Sequence, residues 1–162
     1  MDELVLIGKS VSTFGIKGEL KVISDFEYKK RAFLKGRRIL LNNVSHVITS
    51  VRYHKNYVLI TIDNLDNIND VLEFVGFNLY ILKRDLNLGE DEYLYSDLEN
   101  ATVKEDDVTL GVIKEIMDNR IYKLARVKGE KEFLLPLIEN YIIRFDKLEK
   151  VLYTKNARDL IL

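Results

Sequence analysis

Short apolar or alternating runs, rich in Val, Ile, Leu, Phe and Tyr, recur along this chain about every eight to twelve residues, with clusters of Asn, Asp and Gly between them. A period of two puts alternate side chains on opposite faces of a sheet, and polar clusters at this spacing are the turns between strands. The pattern predicts strands over 4–9, 19–24, 38–41, 47–53, 57–62 and 77–82, then 101–105, 110–117, 121–127, 132–137, 142–145 and 150–153. One stretch breaks the rhythm. Ile68, Val71, Leu72 and Val75 fall at i, i+3, i+4 and i+7, the stripe of a helix of about two and a half turns. Asp66 or Asn67 can cap its start and Gly76 can stop it, which suits a plug for one open end of a barrel. The stretch 83–92 has no sustained period and ends in three acids, which places a linker within it. The prediction is a mainly β protein of two small antiparallel β-barrels, 1–84 and 93–162, joined by a short linker over 85–92. One short helix is expected near the end of the first barrel. Closing each sheet removes the unpaired edges that many short strands would otherwise expose.

Composition narrows the class. The chain of 162 residues is 47% hydrophobic and 31% charged, the balance of a folded globular protein rather than a disordered one. It has no cysteine, which removes disulfide scaffolds, thiol catalysis and cysteine-ligated metals. The start Met1-Asp2-Glu3 is acidic where a signal peptide is basic, and the longest apolar run, 133–138, is interrupted by Pro136. A cytoplasmic protein without a membrane partner is expected.

A formal net charge of −1 argues against nucleic acid until it is located. Residues 1–85 carry 13 Lys+Arg against 10 Asp+Glu, and residues 86–162 carry 12 against 16. The window 17–38 holds eight basic and three acidic residues, whereas 86–107 holds eight acids and only Lys104 to oppose them. A basic arm and an acidic seam suit different partners, and each also reads as solvated surface.

Reactive groups are few. The two histidines, His46 and His54, read as solvated residues near turns, and Asp106-Asp107 as an exposed hairpin turn. No dinucleotide, phosphate-loop or zinc-protease pattern occurs, so neither catalytic nor metal-binding residues are assigned and no cofactor or small-molecule substrate is expected. Two local motifs stand out. In Ser12-Thr13-Phe14-Gly15-Ile16-Lys17-Gly18-Glu19, two glycines three apart flank a lysine between strands. That is either a loop touching phosphate through bare amides or a tight connection needing glycine for its geometry. In Glu92-Tyr93-Leu94-Tyr95-Ser96-Asp97-Leu98, aromatics flanked by acids suit a protein contact better than a nucleobase platform, or else pack at a domain junction.

Taken in order, these motifs resemble the RimM family of ribosome maturation factors, which pair an N-terminal barrel with a PRC barrel. The resemblance runs through Ile7-Gly8-Lys9, Thr13 to Val22, the helix before Gly76, the Glu92 to Leu98 segment, Leu110 to Ile116, Phe133-Leu134-Leu135-Pro136, Phe145-Asp146 and the strand ending at Tyr153. It implies a non-enzymatic chaperone of small-subunit assembly. Such a factor favours correct folding of small-subunit ribosomal RNA in the head region and binds small-subunit ribosomal protein nineteen. By position, that protein contact falls on Tyr93, Leu94, Tyr95 and Asp97. The family commonly has a second tyrosine where Leu94 stands, a tryptophan where Tyr95 stands and a histidine where Phe14 stands, and its usual proline-glycine ending is missing from residues 156–160. The expected RNA and ribosome contacts are Gly15, Lys17, Gly18, Lys30, Arg31, Arg37 and Arg38, on a monomer bridging precursor subunit and ribosomal protein. The rivals are an RNA-modifying enzyme on a barrel scaffold and a generic PRC-barrel interaction module.

Overall fold

Twelve strands form, one in each segment where the alternation predicts one. The computed structural model describes residues 2–162, which divide into two compact units meeting between Asn87 and Leu88. In the first unit β1 (Leu4–Phe14), β2 (Glu19–Ile23), β3 (Arg38–Leu41), β4 (Val44–His54), β5 (Tyr57–Ile62) and β6 (Asn78–Leu82) close into a barrel of order β1-β2-β5-β4-β3-β6. All its ladders are antiparallel. Inward residues such as Ile7, Val22, Ile39, Ile48, Ile60 and Ile81 are essentially fully buried, each worth roughly 1.5–3 kcal/mol of apolar burial.

β1 runs five residues past its predicted end because it carries two register slips, between Leu6 and Gly8 against β6 and between Ser10 and Ser12 against β2. Each slip breaks the alternation, so the periodic signal fades while the pairing continues. Between the slips Ser10 is fully buried and satisfied. Its Oγ donates to the Phe74 carbonyl (2.5 Å), and its backbone exchanges bonds with Phe77 and Gly76.

The expected helix is shorter and tighter than its stripe suggests. α2 (Ile68–Val71) is a single turn capped by Asn67, whose side chain accepts from the Asn69 N–H (2.9 Å), and Leu72–Phe74 continues as a 3-10 turn. At three residues per turn Ile68, Val71 and Phe74 line up. Leu72 is therefore turned out, 53% exposed, instead of joining the buried stripe. Another four-residue turn, α1 (Lys29–Ala32), lies in the basic arm and is held by Ala32 and Phe33, both buried. It is too short to show a period.

His46 is buried rather than solvated, contrary to expectation. β4 begins at Val44, so His46 alternates inward with Ile48. Its Nδ1 lies 2.6 Å from Asp63 Oδ2, Val47 N–H donates to Asp63 Oδ1 (2.9 Å), and the ring meets Phe74 edge-on at 4.9 Å.

In the second unit β7 (Thr102–Glu105), β8 (Val108–Asp118), β9 (Lys123–Lys128), β10 (Glu132–Pro136), β11 (Ile142–Asp146) and β12 (Val151–Thr154) form one six-stranded sheet of order β10-β9-β8-β7-β12-β11. The arrangement departs from the all-antiparallel expectation at one ladder, since β12 runs parallel to β7. The four strands between them let the chain return in either sense, which adjacent hairpins cannot do. Among the described residues no ladder joins β10 to β11, so backbone hydrogen bonding closes the first barrel only. Leu98, Val103, Ile113, Val127, Leu135 and Leu152 form this unit's core. Glu105 Oε1 accepts from the Ala157 N–H (2.6 Å), tying the C-terminal 3-10 turn Ala157–Leu160 to β7. No helix among the described residues is long and apolar enough to cross a membrane.

Burial works to raise the Asp63 pKa, but hydrogen bonds from His46 and from the Val47 N–H prevail and hold it below the ordinary value. Its stabilising effect is thus present above the unfolded carboxylate pKa of about 4 and is lost as pH falls through the folded value. Asp63→Asn should destabilise the first unit by about 1–2 kcal/mol at neutral pH, because His46 loses a charged partner. Urea denaturation from neutral to acid pH should show a shallower acid limb for the variant, and equal limbs would contradict the assignment.

Candidate functional site

The aromatic segment of the second unit is built around a 3-10 turn, Tyr95–Leu98. Asp97 lies in its first turn and accepts the Leu94 N–H (2.9 Å), so the carboxylate shapes the turn. Leu94 is 1% exposed and offers no side chain to a partner. Tyr93 and Tyr95 are half-buried against the unit's core, and the Tyr93 ring meets Phe145 at 5.2 Å with a 60° tilt. Of the four residues expected at the protein contact, the two tyrosines form the accessible pair, while Leu94 and Asp97 set their backbone. Several nearby acids also have structural work. Glu92 accepts the Gly89 N–H (2.9 Å), and Glu105 and Asp106 meet Arg158.

In the first unit the glycine-lysine loop is half committed to the fold. Gly18 is buried at φ +85, and a Cβ there would stand 2.6 Å from the Leu65 carbonyl. The Ile16 carbonyl accepts from the Ile68 N–H (3.1 Å), seating the loop on the start of α2. Gly15, at φ +68, has open space around it and Lys17 is exposed. The tight-connection reading therefore accounts for Gly18, while Gly15 and Lys17 remain at the open tip.

The structure scatters the basic arm. Arg37 Nη2 donates to the Arg31 carbonyl (2.6 Å), bracing the turn after α1, and Arg31 lies over the Tyr28 ring at 5.2 Å. Lys30 is exposed. Arg38 is exposed on β3 beside Leu4, Leu40 and Tyr80, in a small cavity of about 150 Å³. Lys29, which was not among the expected contacts, lines a wider cleft of about 620 Å³ with Lys9, Ile23, Ser24 and Asn56.

Between tip and cleft lies a cluster that sequence reasoning passed over. Arg52 grips Glu19 through two hydrogen bonds (2.7 and 2.8 Å) and its guanidinium lies 5.3 Å from the centre of the Phe14 ring. Phe14 in turn packs on His54 at 5.0 Å, so His54 is half-buried rather than fully solvated. Lys21 Nζ sits 3.9 Å over the Tyr57 ring. The Arg52 hydrogen bond is the largest influence on Glu19 and holds its carboxyl below the ordinary value. Among the described residues no group of three or more His, Asp or Glu could hold a metal ion.

Residues 5–86, the whole closed barrel but for one position at its start, match the RimM N-terminal domain. The chain belongs to the RimM family. A relative from Staphylococcus epidermidis, named ribosome maturation factor RimM, is 38% identical over 149 residues, covering 88% of this chain and 89% of its own. One of the same name from Exiguobacterium sibiricum is 30% identical over 152 residues, with 89% of each chain covered. Among solved structures, a 16S ribosomal RNA processing protein RimM from Pseudomonas aeruginosa aligns over 97% of this chain and 99% of its own, at 24% identity and a TM-score of 0.47. The N-terminal domain of RimM from Thermus thermophilus aligns over 52% of this chain and 94% of its own, at 18% identity and a TM-score of 0.45.

The two glycines of this family member's loop are separable by substitution. Gly18→Ala forces a Cβ against backbone at a left-handed φ and should lower stability by roughly 2–4 kcal/mol, whereas Gly15→Ala should cost only the left-handed penalty of about 1–2 kcal/mol. Thermal denaturation distinguishes them, and equal losses would mean the close approach to Leu65 is not a constraint.

Proposed function

We propose that this chain is a ribosome maturation factor, acting in the cytoplasm without a cofactor as a non-enzymatic chaperone of small-subunit assembly. Family membership carries the reading, since relatives covering almost nine-tenths of the chain bear that name. Its finer form is that the second unit holds small-subunit ribosomal protein nineteen through Tyr93 and Tyr95, while the first unit contacts the ribosomal RNA of the head region. The arrangement of the tyrosines supports the first part. Two amphipathic rings are anchored on a packed core with their turn fixed by Asp97, the preorganised form in which aromatic contacts bind well. The acidic balance of residues 86–162 favours a basic ribosomal protein by electrostatic steering. On this reading a single copy works as a bridge, keeping the protein in register while the RNA around it folds.

Full-length chain carrying Tyr93→Ala and Tyr95→Ala should retain ribosomal protein nineteen roughly 30-fold less well in a low-salt pull-down, in line with loss of an aromatic hot spot. Retention at the wild-type level would defeat the assignment of that contact. Wild-type chain should co-sediment with free small subunits and be absent from completed ribosomes. For the basic arm, Lys30→Ala with Arg38→Ala tests surface charge while sparing Arg31 and Arg37. Binding to precursor subunits should weaken several-fold and its salt dependence should flatten, and an unchanged salt series would leave these two residues as plain surface.

A further inference from the structure

The outward side chains of β1, β2, β5 and β4 fall into three rows across the sheet. Lys9, Ile23, Tyr57 and His54 are register partners in the first row, and Ser12, Lys21, Leu59 and Arg52 in the second. Phe14 and Glu19 make the third. Successive rows lie about 6–7 Å apart, two residues of strand rise. At the far end the face runs into the tip bearing Lys17. At the near end it meets the β4–β5 turn with Lys55 and the cleft where Lys9 and Lys29 line one wall with Asn56.

The charges on this band are one-sided. It holds Lys9, Lys17, Lys21, Lys29, Arg52 and Lys55. Against them stand Glu19, bound on both oxygens by Arg52, Asp25 on the cleft rim, and the exposed Asp66, whose backbone lies against Gly18 at the tip. Three aromatic rings are interleaved with the cations, and two cations already lie over ring faces. Lysines spaced along an extended track with aromatic and guanidinium surfaces between them match the needs of a single strand, whose phosphates want cations and whose unstacked bases want flat partners. An acidic protein would satisfy the lysines but would not call for rings between them.

Resting on the maturation reading above, we infer that this band is a single-stranded RNA track: Lys9, Lys21, Lys29 and Lys55 meet successive phosphates, and Tyr57, His54 and the open face of Arg52 take bases. Leu59 is the floor of the track. It points outward yet is fully buried, and its register neighbours Lys21 and Arg52 flank it.

The test uses full-length chain, a labelled oligouridylate and purified precursor small subunits. Replacing Lys9, Lys21, Lys29 and Lys55 together with glutamine removes four charges while keeping part of each side-chain stem, Lys21's beside Leu59 included, so the variant should still fold, which its thermal unfolding checks. Oligouridylate affinity should fall at least about 30-fold at moderate salt, and the slope of log affinity against log salt should flatten by roughly 2–3, at about 0.7 per phosphate contact. Tyr57→Ala should cost about 5- to 100-fold with the salt slope unchanged, because stacking displaces no counterions. Precursor subunits should lose affinity for both variants. Should Tyr57→Ala fail to fold, the lysine variant alone decides. Wild-type affinity of the lysine variant for RNA and subunits would overturn the track. If wild type binds subunits but not oligouridylate, and the lysine variant loses subunits, the cations meet a partner other than an unstructured single strand and the track assignment falls. Wild type failing on precursor subunits would sink the maturation reading itself, an outcome separate from both.

Discussion

The closed ring of ladders in the first unit is the constraint on which its surface chemistry depends. Because every strand is paired on both sides, no strand can slide, and each residue's direction follows from its place in the register. β5 shows the consequence most clearly. Val58 and Ile60 point into the barrel opposite Val22 and Leu20, which sends Leu59 outward, and an outward leucine is stable only under cover. Lys21 and Arg52 stand on either side of it, and long cationic side chains can shield apolar surface with their methylene stems while keeping their charge in water. One packing requirement thus brings cations and rings together on a single face.

The same economy runs through the motifs. Gly18 owes its identity to a backbone neighbour, not to a ligand. Asp97 and Glu105 use their carboxylates to satisfy backbone N–H groups at tight turns. Arg37 spends its guanidinium on a carbonyl six residues away. A charged residue that answers an unpaired backbone group is no longer a free docking group, though its charge still contributes to the field around the unit. The surfaces proposed for partners are accordingly narrower than the sequence windows suggest: the half-buried tyrosines Tyr93 and Tyr95 in the second unit and a band of lysines and rings in the first.

Legibility of the fold followed the strength of local signals. All twelve strands were readable because a buried face imposes alternation that nothing else in the chain mimics. Signals failed where the backbone left its regular repeat. The slips around Gly8 and Ser10 hid half of β1, and a 3-10 continuation rotated Leu72 off the stripe that its spacing to Ile68 implied. Four-residue α1 was too brief to carry a period at all. The proposed binding surfaces were legible in proportion to the closeness of their residues in sequence. Tyr93 and Tyr95 are two residues apart and stand out as one motif, whereas Phe14 lies about forty residues from Arg52 and His54 and no local pattern joins them.

By itself the sequence determined the class, the number of strands, the contrast of charge between the halves and the family, since each is a sum over local patterns or an ordered string of short motifs. Only the tertiary structure decided that β12 lies parallel to β7, that His46 is buried against Asp63, and that Lys9, Lys21, Arg52 and Tyr57 share one face. These depend on which strands become neighbours, and neighbours are chosen by the cooperative closure of the sheet, a property that no segment of the chain carries alone.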